Sequence, residues 1–189
     1  MSTAATIEWI NEVSPSFKAR IAGGLYFLTM LSSAFLERLM PGKTNLIPGL
    51  IEIVGISAVT LVLYLVFRPV SRSLSLLAAA FNFVGITLET IKFASHGTDI
   101  GMVFHGVFCI LIGILIFRST WMPLILGASI ALAGLAWFTF FAPAFAASLS
   151  PWNLACGLAG EASTFLWLLL FGVNDRKWKQ QAGSMEGSI

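Results

Sequence analysis

The chain has 189 residues, of which 57% are hydrophobic and 11% are charged, and its formal net charge at pH 7 is +2. A typical soluble domain is about 25% charged, so this composition excludes a disordered chain, a nucleic-acid-binding module and an ordinary soluble enzyme. It indicates a polytopic membrane protein whose main partner is the lipid bilayer, and it predicts no nucleic-acid partner.

Long apolar runs follow one another along the chain, and each approaches the roughly 20 residues that a membrane-spanning helix needs. Charged or turn-forming residues separate the runs. Between residues 119 and 174 the one charged residue is Glu161, and that stretch suits two spans separated by a break at residues 148–151. The six predicted spans are residues 20–36, 47–67, 73–91, 100–117, 124–141 and 153–173.

These runs are continuously apolar and lack the strict alternation of a transmembrane β-barrel. The sequence therefore predicts an all-α fold, a polytopic transmembrane bundle of six helices with short loops. The predicted organisation is a short amphipathic, cytoplasmic segment at 1–19, the six-helix domain at 20–174 and a polar C-terminal tail at 175–189.

Basic residues predict the orientation, because Lys and Arg accumulate in cytoplasmic loops. With the N-terminus in the cytoplasm, eight of the eleven Lys and Arg residues are cytoplasmic, and Arg38, Lys43 and Lys92 lie outside. Both termini are then cytoplasmic. The first residues carry acids and no apolar segment, so we expect no cleavable signal peptide.

Several ionisable residues lie in the outer halves of the predicted spans, on four different helices. Such residues are costly in hydrocarbon and usually face the bundle interior or water. We therefore expect them to share one polar cavity that opens outward and takes a small hydrophobic or lipid-like ligand. The predicted cavity residues are Glu52, Glu89, His105 and Glu161.

Three hypotheses for the function follow. The first is a ligand-binding or transport-related protein. The second is an intramembrane acid–base enzyme acting on a lipid or isoprenoid, with Glu161 and His105 as the catalytic candidates. The third is a structural or assembly subunit in which these residues only hold helices together. The sequence leaves the oligomeric state open.

Cysteines and histidines are few. Cys109 and Cys156 lie inside apolar runs, which predicts buried small side chains rather than disulfide partners. A zinc site typically has three or four protein ligands. The chain has two histidines, and because His96 lies in a predicted loop, a zinc site built mainly of histidines is excluded. The sequence thus predicts no metal and no cofactor, and it leaves open only a glutamate-rich site that includes His105.

Several segments resemble the bacterial membrane family called domain of unknown function 4386. They include RIAGGLYFLT at 20–29, YLVFRPVSR at 64–72, FHG at 104–106 running on to RS at 118–119, PLILG at 123–127, AGL at 133–135, GE at 160–161, LWLL at 166–169 and GVN at 172–174. The resemblance implies a compact multi-helix protein of the bacterial inner membrane. It implies no activity, and it places His105 and Glu161 within the family motifs.

Overall fold

A computed structural model describes residues 13–39, 46–95 and 100–186 of the chain. Part of the predicted N-terminal segment, and the loop residues His96 and Asp99, lie outside these ranges. Among the described residues all regular structure is helical, which confirms the predicted all-α bundle. The helices are α1 (Pro15–Leu39), α2 (Leu46–Phe67), α3 (Arg72–Ser95), α4 (Ile100–Arg118), α5 (Leu124–Phe138), α6 (Pro143–Leu149), α7 (Trp152–Leu170) and α8 (Asp175–Glu186).

Five of the described helices, α2 to α5 and α7, are long and apolar enough to cross a membrane, with the last turn of the α5 span provided by the short 3₁₀ helix Thr139–Phe141. The remaining predicted span, residues 20–36, corresponds to α1, which has 25 residues but is not among these five. That α1 also crosses the membrane therefore remains a prediction. The five helices make the chain a multi-pass membrane protein.

The six long helices form a closed ring. Consecutive helices pack against each other from α1 to α5, α5 packs against α7, and α7 returns to α1. Small residues allow the close approach of α4 and α5, because a methyl group added to Gly134 would meet the carbonyl oxygen of Gly106 at 2.5 Å and one added to Gly127 would meet that of Gly113 at 3.0 Å.

Two elements differ from the sequence prediction. The residues between the last two spans were expected to form only a break, but they contain the short helix α6, which begins with Pro143 at its first turn, where a missing N–H costs nothing. The predicted polar tail contains the helix α8, whose composition is polar as expected.

Helix α8 lies at one end of the ring and contacts three other helices there. The Asp175 carboxylate accepts a hydrogen bond from the backbone N–H of Ser16, and the Gln181 amide donates to the carbonyl oxygen of Arg118. The Trp178 indole N–H donates to the carbonyl oxygen of Val66 at 2.7 Å. The chain segments that were assigned to the cytoplasm therefore meet at one end of the bundle.

We expect Trp178→Phe to lower the free energy of unfolding by about 0.5–1.5 kcal/mol, the usual net contribution of one hydrogen bond. The Val66 carbonyl lies in the last turn of α2, where the helix supplies no partner of its own. Thermal unfolding in detergent measures the effect. Trp152→Phe is the control, because the Trp152 side chain is exposed, and an equal loss in both variants would contradict the prediction.

Candidate functional site

A cavity of about 250 Å³ lies inside the ring, and each of its six long helices contributes to its lining. Its residues come from the first half of α2, the second half of α3 and the start of α4, so it occupies the half of the bundle opposite α8. Most of the wall is apolar, and the polar groups are few. Ligand sites typically combine mostly apolar walls with a small number of placed polar groups.

The structure places all four predicted cavity residues, Glu52, Glu89, His105 and Glu161, along this one cavity. They come from α2, α3, α4 and α7, respectively. That they bind a ligand remains a prediction. The side chains of Glu37 and Lys92, two other ionisable groups in the predicted outer half, lie outside the described part of the structure.

Glu161 is the centre of a hydrogen-bond network that joins four helices. Glu161 is buried, with 4% of the residue exposed. One oxygen, Oε2, accepts a hydrogen bond from the Tyr26 hydroxyl at 2.6 Å, and the other, Oε1, accepts from the Trp137 indole N–H at 2.5 Å. The same Oε1 lies 2.9 Å from Nε2 of His105. The two catalytic candidates are thus in direct contact, and catalysis itself stays a prediction.

The network continues from His105 into α3 and α2. Nδ1 of His105 lies 2.8 Å from Oδ1 of Asn82, whose amide nitrogen donates to the Thr60 hydroxyl oxygen at 2.6 Å. The Thr60 hydroxyl in turn donates to the carbonyl oxygen of Ile56. Since the Thr60 proton is used there, Asn82 presents its carbonyl oxygen to His105, and Nδ1 of His105 is the donor.

This assignment fixes the number of protons on the His105–Glu161 pair. With Nδ1 protonated, Nε2 can face a carboxylate oxygen only if a proton lies between the two atoms. The pair is then an imidazolium with a carboxylate, or a neutral imidazole with a carboxylic acid. In both cases it carries no net charge, which suits a site surrounded by apolar helices.

Packing holds the donors of Glu161 in place. The Tyr26 ring stacks on Phe165 with 4.0 Å between centroids and 7° between planes. Gly157 leaves space on α7 for the Trp137 ring, because an added methyl group would meet that ring at 2.5 Å. Gly23 brings the backbone of α1 against α7 in the same way. The small residues therefore position the polar site.

The structure adds Cys109 to the site. It lies one turn after His105 on α4 and is buried, with its thiol donating to Oε1 of Glu161 at 3.5 Å. The sequence prediction of a buried thiol is confirmed for Cys109 and wrong for Cys156, which is exposed on α7. A bundle helix need bury only one face, and the apolar run around Cys156 gave no sign of which face that is.

Four other members of the network were not predicted as site residues, namely Tyr26, Thr60, Asn82 and Trp137. Asn82 carried a signal, because an amide inside an apolar span needs a partner. The sequence also gave a signal for Cys109, because a spacing of four residues after His105 places both side chains on one helix face. Tyr26 and Trp137 resembled ordinary apolar residues of a span.

Comparisons with known proteins give a family but no activity. A family model described as "Domain of unknown function (DUF4386)" matches residues 85–172, which include Glu89, His105 and Glu161. An uncharacterized protein of Archaeoglobus fulgidus is 30% identical over 114 residues, which cover 56% of this chain and 70% of that relative. No solved structure matches the chain.

Proposed function

The chain belongs to the DUF4386 family, and from that premise we propose that this multi-pass membrane protein uses its central cavity to bind a small or lipid-like ligand. The observation that carries the proposal is the convergence of Glu52, Glu89, His105 and Glu161 from four helices on one cavity. Ionisable groups inside a membrane are expensive and are usually found where they have a function.

The form of the cavity indicates the class of ligand. Side chains such as Ile53, Ile86 and Met102 line it beside the polar groups. An occupant with an apolar body and a single polar group fits this arrangement, because the body contacts the walls while the polar group reaches His105 and Glu161.

The orientation supports an opening to the outside. The cavity lies in the half of the ring opposite α8, and α8 contacts the segments that carry Lys18, Arg68 and Arg118. Under the positive-inside rule that basic end faces the cytoplasm. We therefore propose a location in the bacterial cytoplasmic membrane, with both termini inside and the cavity nearer the outer face.

A cavity-filling substitution tests the proposal. Ile53 lines the cavity, and Ile53→Trp should fill part of its volume without changing a polar residue. Protein purified in detergent and incubated with a total lipid extract of its expression host is analysed by native mass spectrometry. We expect the wild type to retain an adduct of defined mass and Ile53→Trp to lose it.

The neighbouring residue provides the control. Val54 is 67% exposed and is not part of the cavity lining, so Val54→Trp adds the same side chain to the same helix on its outer surface. We expect this variant to retain the adduct. If the wild type carries no specific adduct, or both variants keep it, the cavity does not bind a lipid-like molecule.

A structural role is the second candidate, and one observation favours it. Glu161 on α7 receives hydrogen bonds from Tyr26 on α1 and Trp137 on α5, and it contacts His105 on α4. Hydrogen bonds between helices stabilise membrane bundles. In this hypothesis the loss of Glu161 lowers stability, and filling the cavity with Ile53→Trp removes no bound molecule.

A further inference from the structure

Three side chains that can coordinate a metal ion meet at the base of the cavity. Nε2 of His105, Sγ of Cys109 and Oε1 of Glu161 all lie within 4.8 Å of one another. The separations are 2.9 Å from nitrogen to oxygen, 3.7 Å from sulfur to nitrogen and 3.5 Å from sulfur to oxygen. A cysteine, a histidine and a carboxylate are the ligand types that Zn²⁺ accepts.

These separations resemble one face of a coordination tetrahedron. With the usual zinc bond lengths of about 2.0–2.3 Å, tetrahedral ligands lie about 3.3–3.7 Å apart. The two distances from Cys109 agree with this range. The distance between His105 and Glu161 is shorter, as expected for two groups that share a proton, and it needs to open by only about 0.5 Å to meet that spacing.

We propose that His105, Cys109 and Glu161 bind a divalent transition-metal ion, with Zn²⁺ as the ion that best fits the donors. Three protein ligands leave a fourth position open for water or a bound molecule, an arrangement typical of zinc sites that act on a substrate. Since His105 and Glu161 line the cavity, we expect a molecule in the cavity to reach that position. The metal site shares this cavity but does not require the organic ligand proposed above.

The surroundings already hold the ligands as an outer shell would. Metal-binding histidines usually donate their second ring N–H to a carboxylate or carbonyl oxygen, and Nδ1 of His105 donates to Asn82. The second oxygen of Glu161 is held by Tyr26. Both ligands on the cavity side are therefore fixed before an ion arrives.

The charges balance on metal binding. The ion displaces the thiol proton of Cys109 and the proton between His105 and Glu161. One divalent cation replaces two protons, and the thiolate, the carboxylate and the neutral imidazole compensate its charge. The loaded site therefore adds no net charge to the membrane interior, where an uncompensated ion is strongly unfavourable.

Cobalt substitution tests the site directly. Detergent-purified protein is incubated with Co²⁺ or Zn²⁺ and desalted, and its metal content and absorption spectrum are recorded. We expect one ion per chain, intense visible bands of tetrahedral cobalt and a thiolate-to-cobalt charge-transfer band. Cys109→Ser should abolish the charge-transfer band, and Glu161→Gln should abolish retention on desalting. Asn82→Ala should raise the Kd about 10- to 100-fold, as loss of an outer-shell partner usually does.

Cys156→Ser is the matched control, because it removes the chain's other cysteine, which is exposed on α7. We expect it to bind cobalt like the wild type.

Circular dichroism and size-exclusion chromatography establish that each variant is folded. If Glu161→Gln does not fold, Cys109→Ser, which changes one atom, decides the result. The proposal is overturned if the wild type retains no ion, or if Cys109→Ser keeps the charge-transfer band. No lipid is added in this assay and its readout is the metal, so its outcome is separate from that of the cavity-filling test.

Discussion

Replacing Glu161 with alanine should lower the free energy of unfolding by about 2–5 kcal/mol. The substitution removes the shared acceptor of the Tyr26 hydroxyl and the Trp137 indole, and it removes the partner of His105. All of these groups lie inside the helix ring, where water replaces a lost acceptor poorly. Thermal or denaturant-induced unfolding of the detergent-purified protein measures the loss.

Two physical limits set this range. Hydrogen bonds between membrane helices contribute about 0.6 kcal/mol each on average, so the loss of three contacts costs about 2 kcal/mol. Removal of one member of a buried ion pair costs about 3–5 kcal/mol, because the other charge is left unpaired. The second limit applies if His105 keeps its proton after Glu161 has gone.

Glu161→Gln separates charge from shape. The amide retains the size of the carboxyl group and one acceptor oxygen. We therefore expect the free energy of unfolding of Glu161→Gln to lie between those of the wild type and the alanine variant. Ser163→Ala on the same helix is a control. Within the described part of the chain, the Ser163 hydroxyl forms hydrogen bonds only with a backbone carbonyl of its own helix and the hydroxyl of Ser129, and with none of the groups that surround Glu161. A loss for Glu161→Ala no larger than that for Ser163→Ala would contradict the central role of Glu161.

The sequence predicted the helices well because two strong signals agree. Hydrocarbon requires long apolar segments, and water requires the charged turns between them. The predicted span at 100–117 differs from α4, Ile100–Arg118, by one residue. The short helix α6 was missed, because Pro143 interrupts an apolar run and also begins a helix. A proline alone does not distinguish these two cases.

The polar part of the site was predictable for a related reason. A glutamate or histidine inside an apolar run is conspicuous, so depth along the helix alone indicated that His105 and Glu161 belong together. The sequence carried less information about which face of each helix points inward. A helix that is apolar on all sides has no polar stripe to mark its outer face, so Trp137 could not be assigned to the interior and Cys156 could not be assigned to the outer surface.

The contact between α1 and α7, which closes the ring, could not be predicted from the sequence. Tyr26 and Glu161 are 135 residues apart, and short loops predict contact only between helices that follow one another in the chain. Contact between α1 and α7 brings the Tyr26 hydroxyl to Glu161. This contact depends on a feature that composition does not reveal, the position of one glycine on the correct face of α1.

We expect Gly23→Ala to separate α1 from α7 and to cost about 1–3 kcal/mol, the usual range for overpacking. The added methyl group would lie 2.6 Å from both the carbonyl oxygen of Phe165 and the backbone nitrogen of Leu169. Backbone atoms cannot rotate out of the way, so the helices must move apart. Tyr26, three residues further along the same face of α1, then moves away from Glu161.

The next residue is the matched control, and a double-mutant cycle tests the mechanism. A methyl group on Gly24 would meet only the end of the Leu169 side chain, at 3.6 Å, so Gly24→Ala should be neutral or stabilising by up to about 1 kcal/mol through helix propensity. Tyr26→Phe should lower the unfolding temperature of the wild type but change that of Gly23→Ala little, because the hydrogen bond is already lost there. Equal effects of Tyr26→Phe in both backgrounds would mean that Gly23 does not position the site.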